Sequence, residues 1–164
     1  MERPTSRPPT GRLLDAWMGA NQALARHVTP LIERDCGVGF KDFMLLDAIA
    51  EGARYPGEIV ERLGFPPSHV SRVLDDLDHR GLVTRALDPQ DSRRVRLALT
   101  DTGQQAHTAA RDLMTHLIEA ALEGLPDGEV DALTRAMREL HGTLLRAAEL
   151  CPHLRAPQAE EVSS

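Results

Sequence analysis

Two clusters of side chains carry the chemistry available to this chain. The first lies in residues 56–80, PGEIVERLGFPPSHVSRVLDDLDHR. Here Val70, Val73, Leu74 and Leu77 recur at i, i+3, i+4 and i+7, the spacing of one apolar helix face. A turn of about 100° per residue then sets Ser68, Arg72, Asp75 and His79 on the opposite face, with His69 and Ser71 at its flanks. Small polar groups and an arginine near the exposed start of a short helix suit entry into a major groove. There an arginine pairs bidentately with guanine, and serine or histidine bonds bases or phosphates. Asp75, Asp76 and Asp78 argue for a merely solvated face, unless they turn away or pair with Arg72 or Arg80.

The second cluster is Arg93, Arg94 and Arg96, with Arg85 on a neighbouring segment. Asp91, two residues before Arg93, can accept a hydrogen bond from that guanidinium and set its direction. Over residues 62–96 seven arginines oppose five aspartates, a local +2 in a chain of net charge -6. The total argues against a protein that coats nucleic acid indiscriminately, whereas steering follows the local distribution. A guanidinium at a loop tip suits a narrow A·T-rich minor groove, where negative potential is focused. The plainer alternative is an exposed Asp/Arg pair, worth under ~1 kcal/mol.

Other chemistries find little support. There is no G-x-S-x-G, no P-loop, no dinucleotide fingerprint and no carboxylate pair with an obvious site, so an enzyme is not expected. The seven histidines form no H-x3-H pair and have no cysteine at ligand spacing, so neither a metal nor another cofactor is expected. Cys36 and Cys151 are the only cysteines and form no C-x-x-C or disulfide framework, which points to a reducing, cytoplasmic location. Redox sensing by Cys36 is disfavoured by its place at a helix C-terminus beside Asp35, because a reactive thiolate needs nearby positive charge. No apolar run approaches the ~18 residues of a membrane span, and the polar, proline-rich opening is unlike a secretory signal.

The elements that must position the two clusters follow from periodicity. Residues 1–10 hold three prolines and read as a disordered arm. An amphipathic helix is expected over about 13–32, ended by CGVG at 36–39, and a second over 40–50 with Phe43, Leu46 and Ile49 inward. Two short helices follow, at 57–63 and 67–79, with Gly64 in the tight turn between them; Val60, Gly64 and Val70 fit a helix-turn-helix. After Gly81 the period falls to two. Residues 82–87 and 94–99 make a hairpin with the polar tip DPQDS. Thr100 then caps a long helix to about 123, and Asp127 caps a last one to about 150, with Leu133, Met137, Leu140 and Leu144 as its seam. Residues 152–164 read as a flexible tail. A helix of ~23 residues spans about 35 Å, more than a core this size needs, and a homodimer through the long terminal helices explains it.

The residues Asp91, Arg93, Leu99 and Thr100 fit without a gap the D-x-R-x5-L-T wing signature, and in this the chain resembles the MarR family of winged helix-turn-helix transcriptional regulators. Gly103 and the run GLV at 81–83 agree with it. The resemblance covers about residues 11–150. It implies a mainly α fold with a small β-hairpin wing: a winged helix-turn-helix at 40–100 plus a helical dimerisation domain from 11–36 and 101–150. It also implies a triangular homodimer reading a pseudo-palindromic double-stranded DNA operator, usually as a repressor, with release by a small aromatic or anionic effector or by cysteine oxidation. Ser68, His69, Ser71, Arg72, Arg93 and Arg94 are then the expected DNA contacts. An effector pocket in this family lies between the dimerisation helices and the DNA lobe, which makes Trp17, Phe43 and Met44, with Phe40 and His27, its candidate lining. Two features depart from the pattern: Pro66 and Pro67 stand where a Ser or Thr cap is common, and Asp76 where a basic residue is. The rival readings are a helical protein-interaction dimer that keeps the helix-turn-helix as a scaffold, and a cysteine-based redox regulator.

Overall fold

The computed structural model describes residues 9–150. Its elements run α1 (Pro9–Ala23), a π-helical turn (Leu24–Val28), α2 (Thr29–Cys36), α3 (Phe40–Ala50), α4 (Pro56–Leu63), α5 (Pro67–His79), β1 (Val83–Leu87), β2 (Val95–Leu99), α6 (Asp101–Leu122) and α7 (Asp127–Leu150). The expected arm at 1–10 and tail at 152–164, with Cys151, lie outside the described residues, except that Pro9 and Thr10 already form the first turn of α1. The single first helix expected over 13–32 is longer and is interrupted. The chain stays helical from Pro9 to Cys36, with backbone angles of Ala23, Val28 and Thr29 all in the right-handed helical region. The π turn replaces i→i+4 by i→i+5 bonding over a single turn, a local change that apolar spacing on either side does not by itself identify.

The chain divides into two compact units after Leu117. The first holds the core: Ile32, Val38, Leu45, Leu46, Ile59, Val70, Leu74, Leu77, Leu82, Val83, Leu97 and Ala110 are all buried. These are the inward faces of α2 to α6 and of the hairpin. In α3 the buried residues are Leu45, Leu46, Ala48 and Ile49, while Phe43 is only half-buried. Its ring stacks on His107 of α6, centroids 5.8 Å apart. His107 is 6% exposed; its Nε2 lies 2.9 Å from Asp47 Oδ1, and Arg111 Nη1 reaches the same oxygen at 2.7 Å.

Two glycines fix the lobe's geometry. Gly64 ends α4 at φ +67°, the left-handed conformation that lets α5 follow after a tight turn. Gly103, in the first turn of α6, is needed for space: a Cβ there would lie 1.9 Å from the carbonyl oxygen of Leu82. Thr100 caps α6 as expected. Its hydroxyl accepts from Gly103 N–H at 2.9 Å and donates to Gly81 O at 2.7 Å. The two strands pair antiparallel in register Val83↔Leu99 to Leu87↔Val95. In the second unit, α7 presents Leu133, Met137 and Leu144 as exposed apolar side chains. No helix among the described residues is long and apolar enough to cross a membrane.

Candidate nucleic-acid interface

Helix α5 spans the residues read from sequence. Val70, Leu74 and Leu77 are buried, which turns Ser68, Ser71 and Arg72 outward, all exposed. Pro66 supplies no side-chain cap, and Pro67 occupies the first helical position, where its missing N–H costs nothing. Backbone bonds from His69 N–H and Val70 N–H to Pro66 O close the first turn instead. The ring of His69 meets Phe65 edge-on with centroids 5.3 Å apart, and its Nδ1 is 3.5 Å from Arg72 Nη2. The start of α5 therefore offers two hydroxyls, an imidazole and a guanidinium on one surface.

The three acids of α5 do not leave that surface uniformly negative. Asp76 pairs with Arg80 one turn on, at 2.9 Å. Asp75 pairs with Arg85 of β1 at 2.7 Å, at an angle that holds by charge and not by a hydrogen bond. Arg80 also reaches Asp42 at 2.8 Å and Gly37 O at 2.5 Å, tying the end of α5 to the start of α3. These partners raise the Arg80 pKa further, hydrogen bonds to Asp76 and Asp42 being the main causes. Asp78 alone of the three has no ionic partner among the described residues.

The hairpin tip is organised differently from the sequence reading. Asp91 accepts from the backbone N–H of Arg93 at 3.1 Å, not from its guanidinium, so it shapes the turn and leaves the side chain unheld. The guanidinium of Arg93 has no partner among the described residues and is exposed. That of Arg94 lies over the ring of Tyr55, 3.5 Å from its centroid. Tyr55 donates its hydroxyl to Asp88, a carboxylate that is 7% exposed and also accepts from Gln90 N–H at 2.7 Å and Asp91 N–H at 3.2 Å. These bonds, Tyr55 first, hold the Asp88 carboxyl below the usual carboxylate range, and the same bond pushes the Tyr55 phenol up. The sequence alone does not single out Tyr55, and it shows Asp88 only as part of the polar tip DPQDS. Nothing local pairs positions 33 apart, and only the spatial fold reveals them.

The expected effector residues do not gather in one place. Trp17 is 39% exposed on α1, Phe43 stacks on His107, and Met44 is half-buried on α3. An open cleft of about 700 Å³ lies instead between the π turn, α2 and the start of α3. Ala25, Thr29, Glu33, Phe40, Lys41 and Arg80 are among its walls, so of the expected lining only Phe40 takes part. Cys36 is half-buried, and burial followed by the charge of Asp35 pushes its thiol pKa up, away from the thiolate a redox sensor needs. Among the described residues no group of three or more His, Cys, Asp or Glu side chains could hold a metal.

Comparison with known proteins places this geometry. Residues 37–94, covering α3 to the hairpin tip, match the sequence model of the MarR family. An HTH-type transcriptional regulator of Mycobacterium bovis, itself uncharacterized, is 33% identical over 86 residues, 52% of this chain and 60% of that protein's length. The crystal structure of Streptococcus pneumoniae FabT in complex with DNA superposes with TM-score 0.74 at 18% identity, over 84% of this chain and 99% of that one. The PcaV transcriptional regulator of Streptomyces coelicolor, solved with its natural ligand, gives 0.62 at 22%, over 87% and 98%. The helix-turn-helix with its capped start of α6, the hairpin signature from Asp91 to Thr100 and these likenesses agree: residues 37–94 are similar to the MarR family, and the described chain has the winged helix-turn-helix fold of MarR-type transcriptional regulators.

Proposed function

We propose that the protein is a repressor that binds a pseudo-palindromic operator in double-stranded DNA as a homodimer, and that a small aromatic or anionic effector releases it. In this reading Ser68, His69, Ser71 and Arg72 meet a major groove and Arg93 enters the adjacent minor groove, with Arg94 adding positive charge beside it. One observation carries the reading: the start of α5 is exposed and polar, with Asp75 and Asp76 bound to arginines, beside a hairpin tip whose Arg93 guanidinium is unpaired. Support for dimerisation comes from α1, where Leu13, Leu14, Trp17 and Met18 are exposed, and separately from the apolar side chains of α7. We assign Trp17 to that seam. The effector is assigned to the open cleft, where Phe40 offers a ring and Lys41 positive charge, Arg80 being held by Asp42 and Asp76. FabT's complex with DNA and PcaV's complex with its ligand concern those proteins, and they support the general reading of a DNA-binding regulator with a small-molecule effector. A cytoplasmic location follows from the DNA partner.

The test is selection of duplexes from a random library by the purified protein, followed by affinity measurement across salt concentrations. A two-fold related consensus is expected, with log affinity falling linearly against log salt by about 0.9 per phosphate neutralised. A flat salt response, or no enrichment, overturns DNA reading and leaves the protein-interaction dimer.

A further inference from the structure

We propose that Tyr55 is a positioning residue for the wing, fixing through Asp88 and Arg94 where Arg93 stands beside a duplex; this rests on the DNA reading above. Tyr55 is the residue from which α4 starts, and the segment it belongs to holds both arms of the hairpin. The carbonyl of Arg54 accepts from Leu97 N–H of β2 at 2.8 Å. The Tyr55 hydroxyl reaches Asp88 at the end of β1, and Asp88 in turn gathers the N–H groups of Gln90 and Asp91 as the chain enters the tip. The backbone N–H of Asp88 donates to Arg94 O at 2.9 Å, closing the tip from the other side, and the Arg94 guanidinium covers the Tyr55 ring.

Apolar packing does little at this end of the hairpin. Leu87 is 67% exposed and Val95 39%. A tip without a core adopts one position only if polar contacts define it, and hydrogen bonds to an ionised carboxylate are the strong kind. Arg93, two residues from Asp91 and one from Arg94, inherits that position while its own side chain stays free. The raised phenol pKa and lowered carboxyl pKa agree with a bond from a neutral phenol to a carboxylate. Tyr55 is also the only tyrosine in the chain, so its ionisation is read without interference.

The experiment compares Tyr55→Phe, Asp88→Asn and Arg93→Ala with the unmodified protein. The probes are the duplex enriched by selection and the same duplex with its outer A·T steps changed to G·C. Tyr55→Phe keeps the ring beneath Arg94 and removes only the hydroxyl, and a thermal melt checks that it folds. Binding of this variant to the A·T-flanked duplex is expected to weaken about three- to tenfold, with base preference under α5 unchanged and the A·T over G·C flank preference reduced. In alkaline titration by near-ultraviolet absorbance, the phenol is expected to ionise above its ordinary value in the unmodified protein and lower in Asp88→Asn. If Tyr55→Phe binds as the unmodified protein does while Arg93→Ala weakens, the positioning role is overturned and the wing reading stands. If neither weakens, the minor-groove reading falls and takes the positioning role with it. A phenol that titrates like free tyrosine in the folded protein overturns the contact itself.

Discussion

Helix α5 and the hairpin are joined by the Asp75–Arg85 pair, yet the helix and the hairpin tip are held by opposite means. The helix rests on Val70, Leu74 and Leu77, each at most 1% exposed, and its polar face is a by-product of that burial. The tip has almost no apolar anchorage and is defined by one buried carboxylate, one phenol and a stacked guanidinium. Burial is non-directional and insensitive to pH and salt at this scale, whereas a polar clasp is directional and titratable. The helix and the tip are therefore expected to fail under different insults.

The largest expected effect is Leu74→Ala. Emptying that buried site should cost about 2–5 kcal/mol of unfolding free energy, measured by urea titration, and abolish every DNA contact together. A tip that kept its structure in this variant would separate the two elements more than the fold suggests. Next is Arg72→Ala, expected to relax discrimination at one base position per half-site by about 1–3 kcal/mol in binding; a uniform loss over all sequences would make Arg72 a phosphate contact. Arg93→Ala should weaken binding by at least ~1 kcal/mol while melting temperature and dimer mass stay unchanged. Unchanged affinity would leave the helix as the sole reader.

The smallest effect is acid sensitivity confined to the tip. The Asp88 carboxyl is depressed by Tyr55, then by the N–H groups of Gln90 and Asp91. A depressed folded value means that the stabilisation is complete above the ordinary carboxylate pKa of about 3.9 and fades as pH falls from there through the folded value. Amide signals of residues 88–94 should therefore broaden or shift on acidification before those of α5. Simultaneous change in both would show that the clasp is not a separate device.

What could be read from the amino-acid order divides along the same line. Elements built on periodicity were legible: α5 begins and ends where the apolar spacing predicts, and the Thr100 cap is where a hydroxyl precedes an acid and a long stripe. The D-x-R spacing found the wing but misjudged Asp91, because a side chain two residues away can reach either the guanidinium or the N–H, and the turn selects the N–H. Contacts between distant positions were not legible. Asp47 with His107, Asp75 with Arg85 and Tyr55 with Asp88 pair only once the core has brought their elements together. The stacking of Phe43 on His107 was hidden for the same reason, since it joins α3 to α6.

The missing methyl at Gly103 has a mechanical consequence. With the Leu82 carbonyl seated directly against that α-carbon, and Thr100 bridging to Gly81, the opening turn of α6 and the root of the hairpin have no slack between them. A twist of that turn cannot be absorbed locally; it is handed on to Val83 and along the ribbon. The joint works as a weld and not as a hinge, so bending has to be sought elsewhere along the backbone.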